Sequence, residues 1–532
     1  MPQIGYSHRP VALGRGGMVA SAHPLATLAG VEALKAGANA ADAAVAVNGV
    51  LAVTQPYCCG LGGDLFALYH EAATRTVHFL NGAGRSGSRA TLDELRRRQW
   101  SAIPTVGAAA VSVPGCVRAW SMLLERFGTW PLARLLAPAI HYAAHGFPCT
   151  RLVSQAVGEL APAFADPEWH RIFMPSGRPP NLGELLVQED LARTLGRLAA
   201  EGADVFYRGT VASAIAGRLE SDGFVTADDM ARHAGEWGDP ISTVYRGFTV
   251  YETPPPTQGV AALLGLNLLE GFEMARHPVH SVGHLHRLIE MTKLAYADRD
   301  RWIGDPALTS VPVAALLAKS YATKRRRAFD PGKAQAYDAG DPTGDTTGFV
   351  VADGQGNLVS VIQSLFSSFG SGVVPPGTGI VLHNRGRHFV TVPEHPNVLA
   401  PGKRPLHTLI ATLVARDDQP VAGLATMGGN GQAMFHLQLL TNLLDYGMDP
   451  QEAIERPRFL LGPFLPGEPV DITRLEGRVP RRVVTALERR GHRLRVEADF
   501  LHRVGHAHAI AYRDGTWMGG ADPRGDGVAL GF

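Results

Sequence analysis

Apolar residues recur at helical spacing in four runs, around Val31 to Val53, Ala133 to His145, Leu191 to Ala200 and Ser281 to Ala297, and each predicts a helix. After position 346 short Val- and Ile-rich stretches concentrate. Thr347 to Ala352 reads as an apolar, β-branched strand, Asp353-Gly354-Gln355-Gly356-Asn357 as a turn, and Leu358 to Ser364 as a returning strand. Leu424 to Gly431 reads as a strand that ends in glycines, and Gln432 to Tyr446 as the helix that follows. Helices alternating with strands between many Gly and Pro breaks predict a layered α/β architecture. No internal repeat or low-complexity tract is visible. The expected linker is Arg325 to Gly344, which carries Asp, Gly and Pro.

The hairpin brings two hydroxyls together. If it is symmetric about Gln355, paired residue numbers sum to 710, and Thr346 faces Ser364 with Cβ atoms roughly 5 Å apart. A threonine hydroxyl is a poor nucleophile without activation, and no local base stands beside Thr346. Cleavage of the Asp345-Thr346 bond would supply one, because the freed α-amino group has an unperturbed pKa of about 8. The alternative is an ordinary hairpin with Thr and Ser at its open end. Gly428 and Gly429 lack a Cβ, so their N–H groups are free to approach a developing oxyanion; alone, such a loop is a tight turn or a helix start.

Composition narrows the class. With 532 residues, 45% hydrophobic side chains and a formal charge of +1, the chain has ample length for a large core and no global attraction to nucleic acid or acidic surfaces. The opening Met1 to Pro10 lacks the apolar core of a signal peptide, and no run of about 18 apolar residues occurs, so the expected location is cytoplasmic with no membrane partner. Cys58, Cys59, Cys116 and Cys149 have no metal-type spacing and read as buried thiols. Lys324-Arg325-Arg326-Arg327 reads as a solvated helix end rather than a nucleic-acid contact. His502, His506 and His508 have no carboxylate or cysteine at ligand spacing, and no metal or cofactor is expected. Gly60 to Gly63 lacks the Gly-Lys-Ser/Thr ending of a phosphate loop, and no Gly-x-Ser-x-Gly elbow is present.

Taken in order, the segments Gly17 to Ala26, Ala36 to Ala44, Gly60-Leu61-Gly62-Gly63-Asp64, Val113-Pro114-Gly115, Tyr251 to Pro256, Ala295 to Arg299, Gly304-Asp305-Pro306, Gly344 to Val351, Gly428-Gly429 and Ala521 to Arg524 resemble the γ-glutamyltranspeptidase family of N-terminal-nucleophile hydrolases. The resemblance runs over nearly the whole chain. It implies an α+β fold, a four-layer αββα sandwich, and self-cleavage into residues 1–345 and 346–532 that stay in one compact unit. It also implies Thr346 as nucleophile, Ser364 as the second hydroxyl, where the family usually has threonine, and Gly428 and Gly429 as oxyanion donors. The partners implied are a small-molecule amide and, as acceptor, water or an amine.

Several positions depart from the family pattern. The arginine that grips an α-carboxylate is matched by Asn81, with Arg85 nearby as a replacement. The family's asparagine, glutamine and aspartate around the α-ammonium are Phe366, Arg385 and His388, and its serine pair is His407-Thr408. The connection between Phe389 and Lys403 is short, so the loop over the pocket is expected to be reduced. Arg385, His388, His407 and Arg85 predict a more positive pocket, suited to an acyl group with a carboxylate but no ammonium, such as an oxamate-like or glutaryl amide. Three readings stand: an amidohydrolase or transferase for γ-glutamyl amides, glutathione among them; a hydrolase for des-amino acyl amides; and an unprocessed relative that binds a ligand without chemistry.

Overall fold

Two seven-stranded antiparallel sheets lie face to face with helices on both outer sides, in a computed structural model that describes residues 8–335, 345–463 and 468–532. The first sheet runs Val528–Gly531, Gly17–Ser21, Asp345–Asp353, Leu358–Phe366, Asp64–Glu71, Thr76–Asn81, Glu236–Gly238. The second runs Ala12–Gly14, Thr516–Ala521, Ala507–Arg513, Gln419–Thr426, Ala411–Arg416, Phe248–Glu252, Ile241–Tyr245. This is the expected αββα sandwich.

The central strands carry little alternation of apolar and polar residues because both of their faces are covered. Every residue of Leu358–Phe366 is buried. Even-numbered side chains such as Val350, Ala352, Leu358 and Ile362 pack between the sheets against Leu413, Ala425 and Ile510. Odd-numbered Phe349, Val351, Val359 and Val361 pack under the helices. Each such side chain, once buried, contributes about 1.5–3 kcal/mol.

The apolar run over Val31 to Val53 is two helices, Pro24–Lys35 and Ala40–Thr54, parted at Gly37, whose φ is +97°. Asn39 and Asp42 form a capping box at the second start. All of Ala40–Thr54 is buried, on the strands Asp345–Asp353 and Leu358–Phe366. A Cβ on Gly30 would lie 2.5 Å from Val47 Cγ2, so glycine permits the close approach of the two helices. On the far side Gly259–Leu269, Val282–Trp302 and Gln432–Leu444 cover the second sheet.

The four cysteines are buried and unpaired by disulfides. The basic run closes helix Lys319–Arg326, where Arg325 Nε bonds Asp298 and Arg326 Nη1 bonds the carbonyls of Asn267 and Leu268. The expected linker is thus helical at its start, and its residues 336–344 lie outside the described residues, as does the Asp345 side chain. Among the described residues no helix is long and apolar enough to cross a membrane.

Candidate active site

The hairpin register obeys the 710 rule from Thr347↔Gln363 to Ala352↔Leu358, then slips at a bulge so that Asp345 pairs with Phe366. At that bulge Thr346 Oγ1 donates to Ser364 Oγ at 3.2 Å. Period two sends the adjacent threonine the other way, and Thr347 Oγ1 bonds Gln55 Oε1 at 3.1 Å under the helix layer. Only Thr346 of the pair therefore faces the second hydroxyl. Thr346 and Ser364 are each about 1% exposed.

The slip rests on Phe366, a non-glycine residue with φ +78°. That backbone aims its amide at Ser364 Oγ, 2.6 Å away. Strain of this kind costs about 1–3 kcal/mol and persists where surroundings impose it. Here two side chains pack on the ring: the Arg385 guanidinium carbon lies 4.0 Å from its centre, and the His388 ring stacks on it at 5.2 Å.

Arg385 is 1% exposed, and its Nη1 donates to Thr408 Oγ1 at 3.0 Å while Nη2 has no partner among the described residues. Burial pulls the guanidinium down to about 9, opposed by the Asp64 carboxylate. Asp64 is opposite Ser364 across the ladder, with Oδ1 accepting from Gly84 N at 2.9 Å. Its Oδ2 lies 3.5 Å from His383 Nδ1 and 3.7 Å from His407 Nε2. Burial raises its pKa, partly offset by His383 and Arg385.

The contacts close into a ring around Thr346. Gln258 Nε2 donates to both Thr408 O, at 2.8 Å, and Gly429 O, at 3.0 Å. Gly428 has φ +135° and Gly429 φ +52°, and a Cβ on Gly428 would lie 2.4 Å from Phe435 Cε2. Their amides donate to no protein acceptor among the described residues. Gln432 opens the helix Gln432–Leu444, and its Nε2 donates back to Thr346 Oγ1 at 3.2 Å. Thr346, Ser364, Gly428, Gly429, Arg385, His388 and Thr408 are thus held in one unit.

Two expectations change. Burial holds His388 down to about 3 and His407 well below the usual imidazole range, so both are neutral near pH 7. The positive charge beside Phe366 and Thr408 is that of Arg385, with Arg387 farther out over the Phe366 ring at 5.7 Å and Arg299 behind Gln258, donating to its Oε1 at 2.7 Å. Arg85 donates to Asp305 Oδ2, Gly402 O and Glu236 Oε1, and Asn81 Oδ1 accepts from Ala83 N. Asn81 lines a separate cleft of about 320 Å³ with Glu236, Trp237, Asp305 and Arg404. Neither residue bonds a member of the ring.

Sequence reasoning did not single out Gln432, Gln258 or the role of Asp64. A polar residue behind a glycine turn resembles a helix cap, and only its burial marks Gln432 as different. His286, Glu290 and His492 are the only group among the described residues close enough to share a metal ion. Their donors are committed: His286 Nδ1 lies 2.7 Å from His492 Nε2, and Lys293 Nζ donates to Glu290 Oε1 at 2.9 Å.

The profile described as Gamma-glutamyltranspeptidase matches residues 26–532. The chain is 40% identical to the glutathione hydrolase-like YwrD proenzyme of Bacillus subtilis (strain 168), covering 97% of this chain and 98% of that protein. It is 36% identical to the oxamate amidohydrolase proenzyme of Klebsiella pneumoniae subsp. pneumoniae, over 97% and 98%. The crystal structure of cephalosporin acylase from Bacillus halodurans superposes with a TM-score of 0.93 at 37% identity, covering 100% of this chain and 98% of that one. The chain belongs to the γ-glutamyltranspeptidase family and is an amide hydrolase of the N-terminal-nucleophile type.

Proposed function

We propose that the chain is a self-processing threonine amidohydrolase for amides whose acyl group carries a carboxylate and no α-ammonium. The observation that carries this reading is Arg385, buried over Phe366 with Nη2 unpaired among the described residues. Where the family pattern holds an ammonium, this chain packs an aromatic ring, a guanidinium and a neutral imidazole. A cation would meet like charge there; a carboxylate would meet a donor in low dielectric. Relatives named as an oxamate amidohydrolase and a cephalosporin acylase support it.

In the first cycle Thr346 Oγ1 bonds to the Asp345 carbonyl carbon, the C–N bond breaks, and the hydroxyl proton ends on the freed amine. Water opens the ester, leaving residues 1–345 and 346–532 associated. In turnover the α-amine of Thr346 takes the hydroxyl proton, Oγ1 attacks the substrate amide, and the proton passes to the leaving nitrogen. Gly428 and Gly429 would donate to the carbonyl oxygen. Ser364 holds the hydroxyl, and Arg385 with Thr408 receives the carboxylate. Asn81 and Arg85 have at most an outer role. Water completes hydrolysis, favoured over transfer by the compact loop in which Val390 bridges Val398.

The test compares kcat/KM for glutaryl and γ-glutamyl p-nitroanilide. The reading expects the glutaryl amide to be preferred by at least about tenfold, the factor given by one charge-assisted hydrogen bond of about 1.5 kcal/mol. Preference for the γ-glutamyl amide would instead favour γ-glutamyl transfer or glutathione hydrolysis, the latter the class in the name of the glutathione hydrolase-like Bacillus relative.

A further inference from the structure

We propose that Gln432 is a catalytic residue, a side-chain donor that stabilises negative charge on Thr346 Oγ1 whenever that oxygen attacks or leaves. The inference rests on Thr346 being the nucleophile. Gln432 is fully buried, and its amide orientation is fixed by its other end: Oε1 accepts from Ile410 N at 3.0 Å, which the amide nitrogen cannot do. Nε2 therefore faces Thr346 Oγ1, 3.2 Å away.

The two neighbours of Oγ1 divide the work. The single hydroxyl proton points to Ser364 Oγ, and an oxygen lone pair receives Gln432. When the α-amine removes that proton, Gln432 still faces the resulting negative oxygen. In deacylation the α-amine, neutral again after giving its proton to the leaving nitrogen, takes a proton from water as the water oxygen adds to the ester carbon, and the C–Oγ1 bond then breaks. The electron pair goes to Oγ1, and the α-ammonium returns the proton. The Gln432 donor serves the oxygen in both directions, without supplying or removing a proton. One turn, residues 428–432, would then address both oxygens of the tetrahedral intermediate: Gly428 and Gly429 the carbonyl oxygen, Gln432 the threonine oxygen.

The test uses Gln432→Leu and Gln432→Glu in the full-length protein, with rates taken per cleaved chain as counted by intact mass. Gln432→Leu is expected to lower kcat about 10- to 100-fold with KM within twofold, and to slow self-cleavage. Gln432→Glu keeps the acceptor for Ile410 N but offers a donor only when its buried carboxyl is protonated. Its kcat relative to wild type is expected to rise at least fivefold from pH 8.5 to pH 6, a trend a purely structural role would not produce. A Gln432→Leu kcat within twofold of wild type, or a Gln432→Glu ratio flat with pH, overturns the proposal. A wild-type protein that never cleaves and hydrolyses no amide overturns instead the reading on which it rests.

Discussion

Arg385 lies over the face of Phe366, its guanidinium carbon 4.0 Å from the ring centre. Phe366 N also donates to Ser364 Oγ, so a single residue links the cation proposed to read the acyl group to the hydroxyl proposed to hold the nucleophile.

Replacing Arg385 by Gln removes the charge that would meet a carboxylate. For a glutaryl amide KM is expected to rise about 10- to 150-fold, the equivalent of about 1.5–3 kcal/mol, with kcat changed less than threefold. Steady-state kinetics check it, and an equal loss for a neutral acyl amide would contradict the assigned role.

Ser364→Ala takes the acceptor from both Thr346 Oγ1 and Phe366 N. Loss of about 1–3 kcal/mol of positioning predicts a kcat about 5- to 150-fold lower at nearly constant KM, together with slower appearance of the new chain end. Single-turnover kinetics and intact mass report the two effects separately.

Gly428→Ala forces an L side chain to φ +135° with its Cβ 2.4 Å from the Phe435 ring. Such strain costs about 1–3 kcal/mol, and relief requires the turn to move. The unfolding free energy from denaturant titration should fall by that amount, and kcat by about 100-fold as the two amides leave their positions. A stable, fully active Ala variant would show that the turn is not the oxyanion site.

The facing of Thr346 and Ser364 was legible because antiparallel register and period two leave little freedom once the turn is found. The bulge was not, since it depends on the φ of Phe366, on whose ring Arg385 and His388 pack from a short helical turn beyond the hairpin. Arg85 looked available beside Asn81, but its partners Glu236 and Asp305 are 151 and 220 residues away in sequence. His388 and His407 read as cations until burial, which depends on the packed layers, made them neutral. The four-layer fold came from the family resemblance; the apolar pattern alone supports only layered α/β.

Stability should fall steeply in mild acid. Burial holds His233 near 3 and His23 and His508 near 4, below the unfolded value of 6.5. The unfolded chain therefore binds more protons in that interval. The stabilisation is fully present above pH 6.5 and is lost as pH falls toward the folded values. These three groups alone contribute a loss of about 3–4 kcal/mol between pH 6 and pH 5, at about 1.4 kcal/mol per group and pH unit, and His280, His388 and His492, held equally low by burial, add in the same direction. Equilibrium unfolding at the two pH values measures it; no difference would mean that water reaches these imidazoles.

The central claim is that Thr346 becomes a chain terminus and then the nucleophile. Intact mass of the purified protein, beside a Thr346→Ala variant, tests it most directly. The account predicts chains of 345 and 187 residues (532 minus 345), with threonine first in the shorter one and no cleavage in the variant. A single 532-residue chain after prolonged incubation, or the same two chains from Thr346→Ala, would contradict it.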